Sequence, residues 1–231
     1  MKLAIVPARA GSKRIPQKNI VDISGKPMIC HTLENIVASG QFDKVHVSTD
    51  SEEIISLTRE IVGECDFQRD SSLADDFTPL IEVIPWVFNE FKKRGQIPST
   101  IALIMPTAFL LPPEIYKEAM QTFAKREVDL PLISMAPYPC PTEWAFKKNS
   151  GHHVKAQQPD SLVMRSQDIS PSYYDTGDFC LYSPEHIEFL SKGNHHDEYL
   201  MQEIPRELAV DVDTPEDLAL ARALFKVRNE K

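Results

Sequence analysis

Short apolar runs of strand length recur along the chain, separated by longer segments whose apolar residues fall three and four positions apart. Leu3–Val6 and Ile101–Met105 are nearly continuous apolar stretches and predict buried strands, and Val45-His46-Val47-Ser48-Thr49 reads as another strand. Met28–Val37 has helical spacing, with Pro27 suited to the first helical position. Glu52 and Glu53 suit the first turn of a helix reaching about Val62. Thr78-Pro79 opens a further helix towards Arg94, and Pro85 inside it predicts a kink. Pro112-Pro113 starts a helix ending near Arg126. Val128–Met135 follows as a strand that Pro131 moves towards a sheet edge or a bend.

The alternation stops at Pro137-Tyr138-Pro139-Cys140-Pro141. From residue 138 to 167 the chain is polar and aperiodic, which predicts an arm inserted into one domain spanning 1–231. Strand and helix signals return at Asp178–Tyr182 and Pro184–Leu190. A last strand is expected over Leu208–Val212, followed by a helix with Thr214 as N-cap, Pro215 first and Asp217 third. Strands separated by helices predict a three-layer α/β fold around a mainly parallel sheet.

Composition narrows the function. A formal charge of −9 argues against nucleic acid or an anionic membrane as partner, because both need an extended basic surface. No apolar stretch reaches the roughly 20 residues of a membrane span, and the start of the chain has no signal-peptide pattern. Cys30, Cys65, Cys140 and Cys180 are too scattered for a metal motif and read as free thiols, so a cytoplasmic setting is expected. His152-His153 and His195-His196 are adjacent pairs and read as solvated turns.

One segment reverses the local charge. Straight after the first strand, Arg9, Lys13, Arg14 and Lys18 crowd around Gly11 and Ser12. A cationic loop at the carboxyl end of a strand is where an open α/β sheet binds an anion, although a solvated basic turn has the same composition. Gly11 would let the backbone approach phosphate oxygens. Neither G-x-x-x-x-G-K-[ST] nor G-x-G-x-x-G is present, which removes P-loop ATPases and nicotinamide dehydrogenases. Asp211 and Asp213, two apart on the expected strand, would project together. Such a pair suits Mg²⁺ with substrate phosphates, and acids there also suit helix capping.

The segment Pro7-Ala8-Arg9-Ala10-Gly11-Ser12-Lys13-Arg14-Ile15-Pro16-Gln17-Lys18-Asn19, followed by Gly25-Lys26-Pro27, resembles the signature of the acylneuraminate cytidylyltransferases. Further matches, in order, are Val47-Ser48-Thr49-Asp50, Arg69, Leu73-Ala74-Asp75-Asp76, Arg165-Ser166-Gln167-Asp168 and Asp211-Val212-Asp213-Thr214-Pro215-Glu216-Asp217. Tyr174-Asp175-Thr176-Gly177-Asp178-Phe179 is most similar to the pseudaminic acid branch. Met105 stands where sialic acid members carry Gln, and Cys180-Leu181-Tyr182 where pseudaminate members often carry an aromatic pair. Sialic and legionaminic acids are therefore the alternative acceptors.

The resemblance implies a nucleotide-diphospho-sugar-transferase fold and transfer of CMP from CTP to the anomeric hydroxyl of a nine-carbon keto-sugar acid, with pyrophosphate released. It implies a homodimer held by the inserted arm, and Mg²⁺ on Asp211 and Asp213. Ala8, Arg9, Gly11, Ser12, Lys13, Lys18, Asn19 and Arg69 would bind the nucleotide. Arg165, Gln167, Asp175, Gly177, Phe179 and Thr107 would face the sugar acid. Lys13 and Arg9, with the two aspartates, would carry the chemistry. A nucleotide-binding protein without transferase activity is the reading from another class, and it has no physical need for the metal pair.

Overall fold

The computed structural model describes residues 1–75 and 78–229. In chain order the strands are β1 (Lys2–Pro7), β2 (Asp22–Ile23), β3 (Lys26–Pro27), β4 (Lys44–Ser48), β5 (Thr100–Ile104), β6 (Leu132–Pro137), β7 (Phe146–Lys148), β8 (Val154–Ala156), β9 (Tyr173–Tyr182) and β10 (Leu200–Glu203). The helices are α1 (Met28–Ser39), α2 (Glu52–Val62), α3 (Leu80–Lys93), α4 (Pro113–Ala124), α5 (Pro184–Ser191) and α6 (Pro215–Asn229).

The central sheet has six strands in the order β10-β6-β9-β5-β1-β4. β1 pairs in parallel with β4 and β5, and β6 with β10, while β9 runs antiparallel between β5 and β6. Strand alternation splits the core into two layers. Ala4, Val6, Ala102 and Ile104 face α1 and α4, whereas Leu3, Ile5, Ile101 and Leu103 face α3 and α5. Both sides of β1 are therefore buried, which is why its sequence is a continuous apolar run. Each such Leu or Ile contributes roughly 1.5–3 kcal/mol.

A third, smaller cluster positions the site. Ile15 and Ile23 pack with Phe109, Leu110, Val212, Leu218 and Ala221, tying the cationic loop to α6. Thr214 and Asp217 cap α6 reciprocally: Thr214 N donates to Asp217 Oδ2 at 2.8 Å, and Asp217 N donates to Thr214 Oγ1 at 3.2 Å.

Several expectations need correction. Leu208–Val212 is irregular chain outside the sheet, because Val212 fills the cluster beneath α6 instead of joining a ladder. The outermost strand beside β6 is β10, whose Gln202 and Glu203 gave no apolar signal. β6 starts after Pro131 and lies inside the sheet, with the Pro131 carbonyl accepting from Leu200 N at 2.8 Å. α3 continues as one helix through the buried Pro85. The arm is not wholly irregular, since β7 and β8 form a hairpin in it. No helix among the described residues is long and apolar enough to cross a membrane.

Candidate active site

The cationic loop leaves β1 and is held from several directions. Ala8 N donates to Ser48 O at 2.9 Å, extending the β1–β4 pairing, and Ala10 N donates to Asp50 Oδ1 at 3.1 Å. Asn19 Nδ2 ties back to Arg9 O at 3.1 Å, and Arg9 Nη1 donates to Asp75 O at 2.7 Å. Gln17 takes a left-handed φ of 51°, which turns the chain into the short helical turn Lys18–Ile20. Lys18 Nζ then reaches Val212 O at 2.8 Å and Asp213 Oδ1 at 3.2 Å, and Arg14 Nη2 stands 2.8 Å from the same carboxylate oxygen. Loop and carboxylate segment, 194 residues apart in sequence at the Lys18–Val212 contact, are thus held together.

A cavity of about 530 Å³ opens over this loop. Arg9, Gly11, Ser12, Lys13, Lys18, Asn19 and Arg69 all line it, as does Arg14. Ala8 does not line it; its side chain is buried in the core. A Cβ built on Gly11 would meet nothing within 4 Å, so no neighbour in the chain demands glycine there. Arg69 is buried, with Nε donating to Ser48 Oγ at 3.1 Å and Nη2 to Ser48 O at 2.6 Å. Burial, opposed by the charge of Asp50 and reinforced by that of Arg9, pushes its pKa down to about 10, which leaves the guanidinium charged at neutral pH. Asp75 also lines the cavity; Asp76 lies outside the described residues.

A second cavity of about 340 Å³ adjoins the first, sharing Lys18, Leu80, Met105 and Asp213 with it. Thr107, Asp175, Gly177, Phe179 and Asp211 line it. Its shape depends on an irregularity where β9 meets β6, with the register shifting between Ile133 and Met135. There Gly177 takes φ 70°, and its N–H donates to Asp175 Oδ1 at 2.8 Å. Ser134 Oγ anchors the irregularity, accepting from Thr176 Oγ1 at 2.8 Å and from Phe179 N at 3.1 Å. Asp175 and Gly177 are thereby turned to the cavity, with a Cβ on Gly177 4.0 Å from Asp211 Oδ2. The Phe179 ring is buried, with its centroid 5.7 Å from that of Tyr116.

Asp211 and Asp213 do come together, although by an irregular segment and not by strand alternation. Partial burial and the charge of Asp213 hold the Asp211 carboxyl above the usual carboxylate range. Two carboxylates opening beside a cationic cavity fit Mg²⁺, which takes one or two carboxylates and completes its shell with phosphate oxygens and water. Among the described residues, no three His, Cys, Asp or Glu side chains are grouped to hold an ion by themselves.

Arg165 and Gln167 are not brought to either cavity. Both sit exposed in the arm, where Arg165 Nε donates to Asp168 Oδ2 at 2.8 Å. His196 is no solvated turn residue: its ring packs 4.7 Å from Phe189 and 5.1 Å from His186. Asp178, which the resemblance includes in the Asp175–Phe179 loop expected to face the sugar acid and the nucleotide, is instead buried with Oδ2 unpaired. Burial, opposed by its hydrogen bond with Thr176 and reinforced by Asp211 and Asp175, pushes its pKa up to about 8. Beyond that match, its burial is signalled in the sequence by an acid directly before the largely apolar stretch Phe179–Tyr182.

The family described as Cytidylyltransferase matches residues 3–229. A pseudaminic acid cytidylyltransferase of Campylobacter jejuni is 34% identical over 99% of this chain and 97% of its own length. A CMP-N,N'-diacetyllegionaminic acid synthase of Legionella pneumophila is 27% identical over 99% of this chain and 97% of its own. The solved structure of a CMP:2-keto-3-deoxy-manno-octonic acid synthetase complexed with CTP has the same fold, with a TM-score of 0.71 and 16% identity, covering 99% of this chain and 100% of that one. The cationic loop, the paired aspartates and a match across almost the whole length converge: this chain belongs to the cytidylyltransferase family.

Proposed function

We propose that this protein transfers CMP from CTP to the anomeric hydroxyl of pseudaminic acid and releases pyrophosphate. The observation that carries the reading is the pair of adjoining cavities meeting at Lys18 and Asp213, one cationic and one lined by carboxylates. The similarity to the Campylobacter jejuni enzyme supports the acceptor.

The triphosphate occupies the larger cavity, where Arg9, Lys13, Arg14 and Lys18 face its charge. The sugar hydroxyl oxygen forms a bond to the α-phosphorus as the bond to the bridging oxygen of pyrophosphate breaks in line. Negative charge grows on the leaving group, and the fixed cations are already placed to meet it. Asp211, beside the Gly177 turn, orients the hydroxyl and draws its proton. Asp211 and Asp213 would hold Mg²⁺, which when bound neutralises phosphate charge. Asp175 and the Gly177 backbone position the acceptor beside them.

A homodimer is part of the proposal. Phe146, Val154, Leu162, Val163 and Met164 leave large apolar side chains exposed on the arm, which supports its burial against a second copy. The free cysteines Cys30, Cys65, Cys140 and Cys180 support a reducing, cytoplasmic setting.

The test is Mg²⁺-dependent pyrophosphate release with CTP, UTP and ATP against pseudaminic, legionaminic, N-acetylneuraminic and octulosonic acids. CTP with pseudaminic acid is expected to give the highest kcat/KM. Turnover with N-acetylneuraminic acid alone would refute the acceptor, and no turnover with any combination would leave the non-catalytic reading.

A further inference from the structure

The acceptor cavity has two unlike walls. Asp175, Asp211, Asp213 and Lys18 make one of them polar and charged. Leu80, Leu103 and Cys180 make the other, and all three belong to the apolar cluster built around α3. Leu103 and Cys180 are directly opposed in the antiparallel pairing of β5 with β9, so their side chains project together on one face of the sheet. The Cys180 thiol is pushed up to about 12 by burial, so it presents a small, neutral, soft surface. Among the described residues of this wall, Leu80 and Leu103 offer a sugar hydroxyl no hydrogen bond, and the Cys180 thiol, already paired with the Tyr182 hydroxyl, is at most a weak partner. A hydroxyl docked there gives up water for no strong partner, while a methyl group loses nothing and gains contact.

Taking the proposed activity as given, we infer that Leu80, Leu103 and Cys180 form an apolar subsite that selects sugar acids presenting methyl or acyl-methyl groups over acids presenting hydroxyls. Pseudaminic acid has two acylamino groups and a terminal methyl. N-acetylneuraminic acid has one acylamino group and a fully hydroxylated tail. The discrimination expected from one apolar pocket is about 10–200-fold in kcat/KM.

Cysteine can be replaced to separate polarity from volume. Cys180→Ser keeps the size and adds a strong hydrogen-bonding group, whereas Cys180→Ala keeps the wall apolar. The kcat/KM ratio of pseudaminic to N-acetylneuraminic acid is measured by pyrophosphate release, with thermal melts confirming that both variants fold. Wild type is expected to favour pseudaminic acid by at least about tenfold. Cys180→Ser should lower that ratio by about five- to tenfold, and Cys180→Ala should hold it within about twofold. Equal ratios in all three proteins, or an equal drop in both variants, would overturn the subsite and leave the activity standing. A wild-type ratio near one would do the same without any variant. No turnover with either acid would overturn the activity reading and this inference with it.

Discussion

Replacing Asp178 by asparagine should make the protein more stable at alkaline pH and leave it little changed in acid. Asp178 is fully buried, its Oδ2 has no partner, and its pKa is raised from 3.8 to about 8, chiefly by burial. The folded protein therefore holds this proton across a range in which the unfolded chain has released it. Unfolding then gains favourability as pH rises, by at most about 1.4 kcal/mol per pH unit between about 4 and 8, and levels off above. The stabilising contribution is complete below the unfolded value and lost as pH climbs through the folded one. The amide of the variant keeps a neutral, polar group of the same shape in this pocket and does not titrate. Urea unfolding followed by Trp86 and Trp144 fluorescence, in EDTA at pH 5, 6, 7 and 8, gives the stability difference between Asp178→Asn and wild type. That difference should move in favour of the variant by about 1 kcal/mol for each unit of rising pH. A difference that stays constant from pH 5 to 8 would refute the buried neutral acid.

Other perturbations separate the parts of the site. Asp211→Asn should lower kcat by about 10²–10⁴-fold with an unchanged melting temperature, and unchanged turnover would remove Asp211 from the chemistry. Arg69→Lys cannot reproduce the two-pronged contact with Ser48, so loss of about 1.5–3 kcal/mol is expected, read as a Tm lower by roughly 3–10 °C. An unaltered Tm would show that the buried fork contributes nothing. Val163→Asp, at a side chain 89% exposed on the arm, should convert a dimer to monomer in size-exclusion chromatography. Co-elution of this variant with a dimeric wild type would place the interface elsewhere.

The readable elements are those whose residues decide their own structure. β1 and β5 follow from largely apolar runs buried in the sheet, β4 from its β-branched Val45 and Val47, and α6 from a cap closed within four residues, Thr214 to Asp217. Misreadings arise where the deciding partner is distant. Leu208, Val210 and Val212 recur at every second position as a strand's inward residues would, yet they pack around α6 and the cationic loop. β10 exists because β6 offers it a ladder, and the side chains of Gln202 and Glu203 give no hint of that edge. The first half of β9 stays hidden for a related reason, since its irregular register rests on Ser134 in another strand.

The same distinction divides the site. Binding a triphosphate takes charge, and Arg9, Lys13, Arg14 and Lys18 lie within one loop, so composition alone exposes them in an acidic chain. The aspartate pair is visible because two acids bracket one apolar residue, even though the strand invoked to align them is absent. Choosing an acceptor takes shape and the absence of hydrogen bonds, and it draws on Leu80, Leu103 and Cys180 from three separate segments. In sequence these residues look like core, and most of each side chain is core. Only the edge that reaches the cavity makes them selective. Donor recognition is therefore written in unusual residues, while acceptor recognition lies in where ordinary ones end up, so the second can be argued only once β5 and β9 are seen side by side.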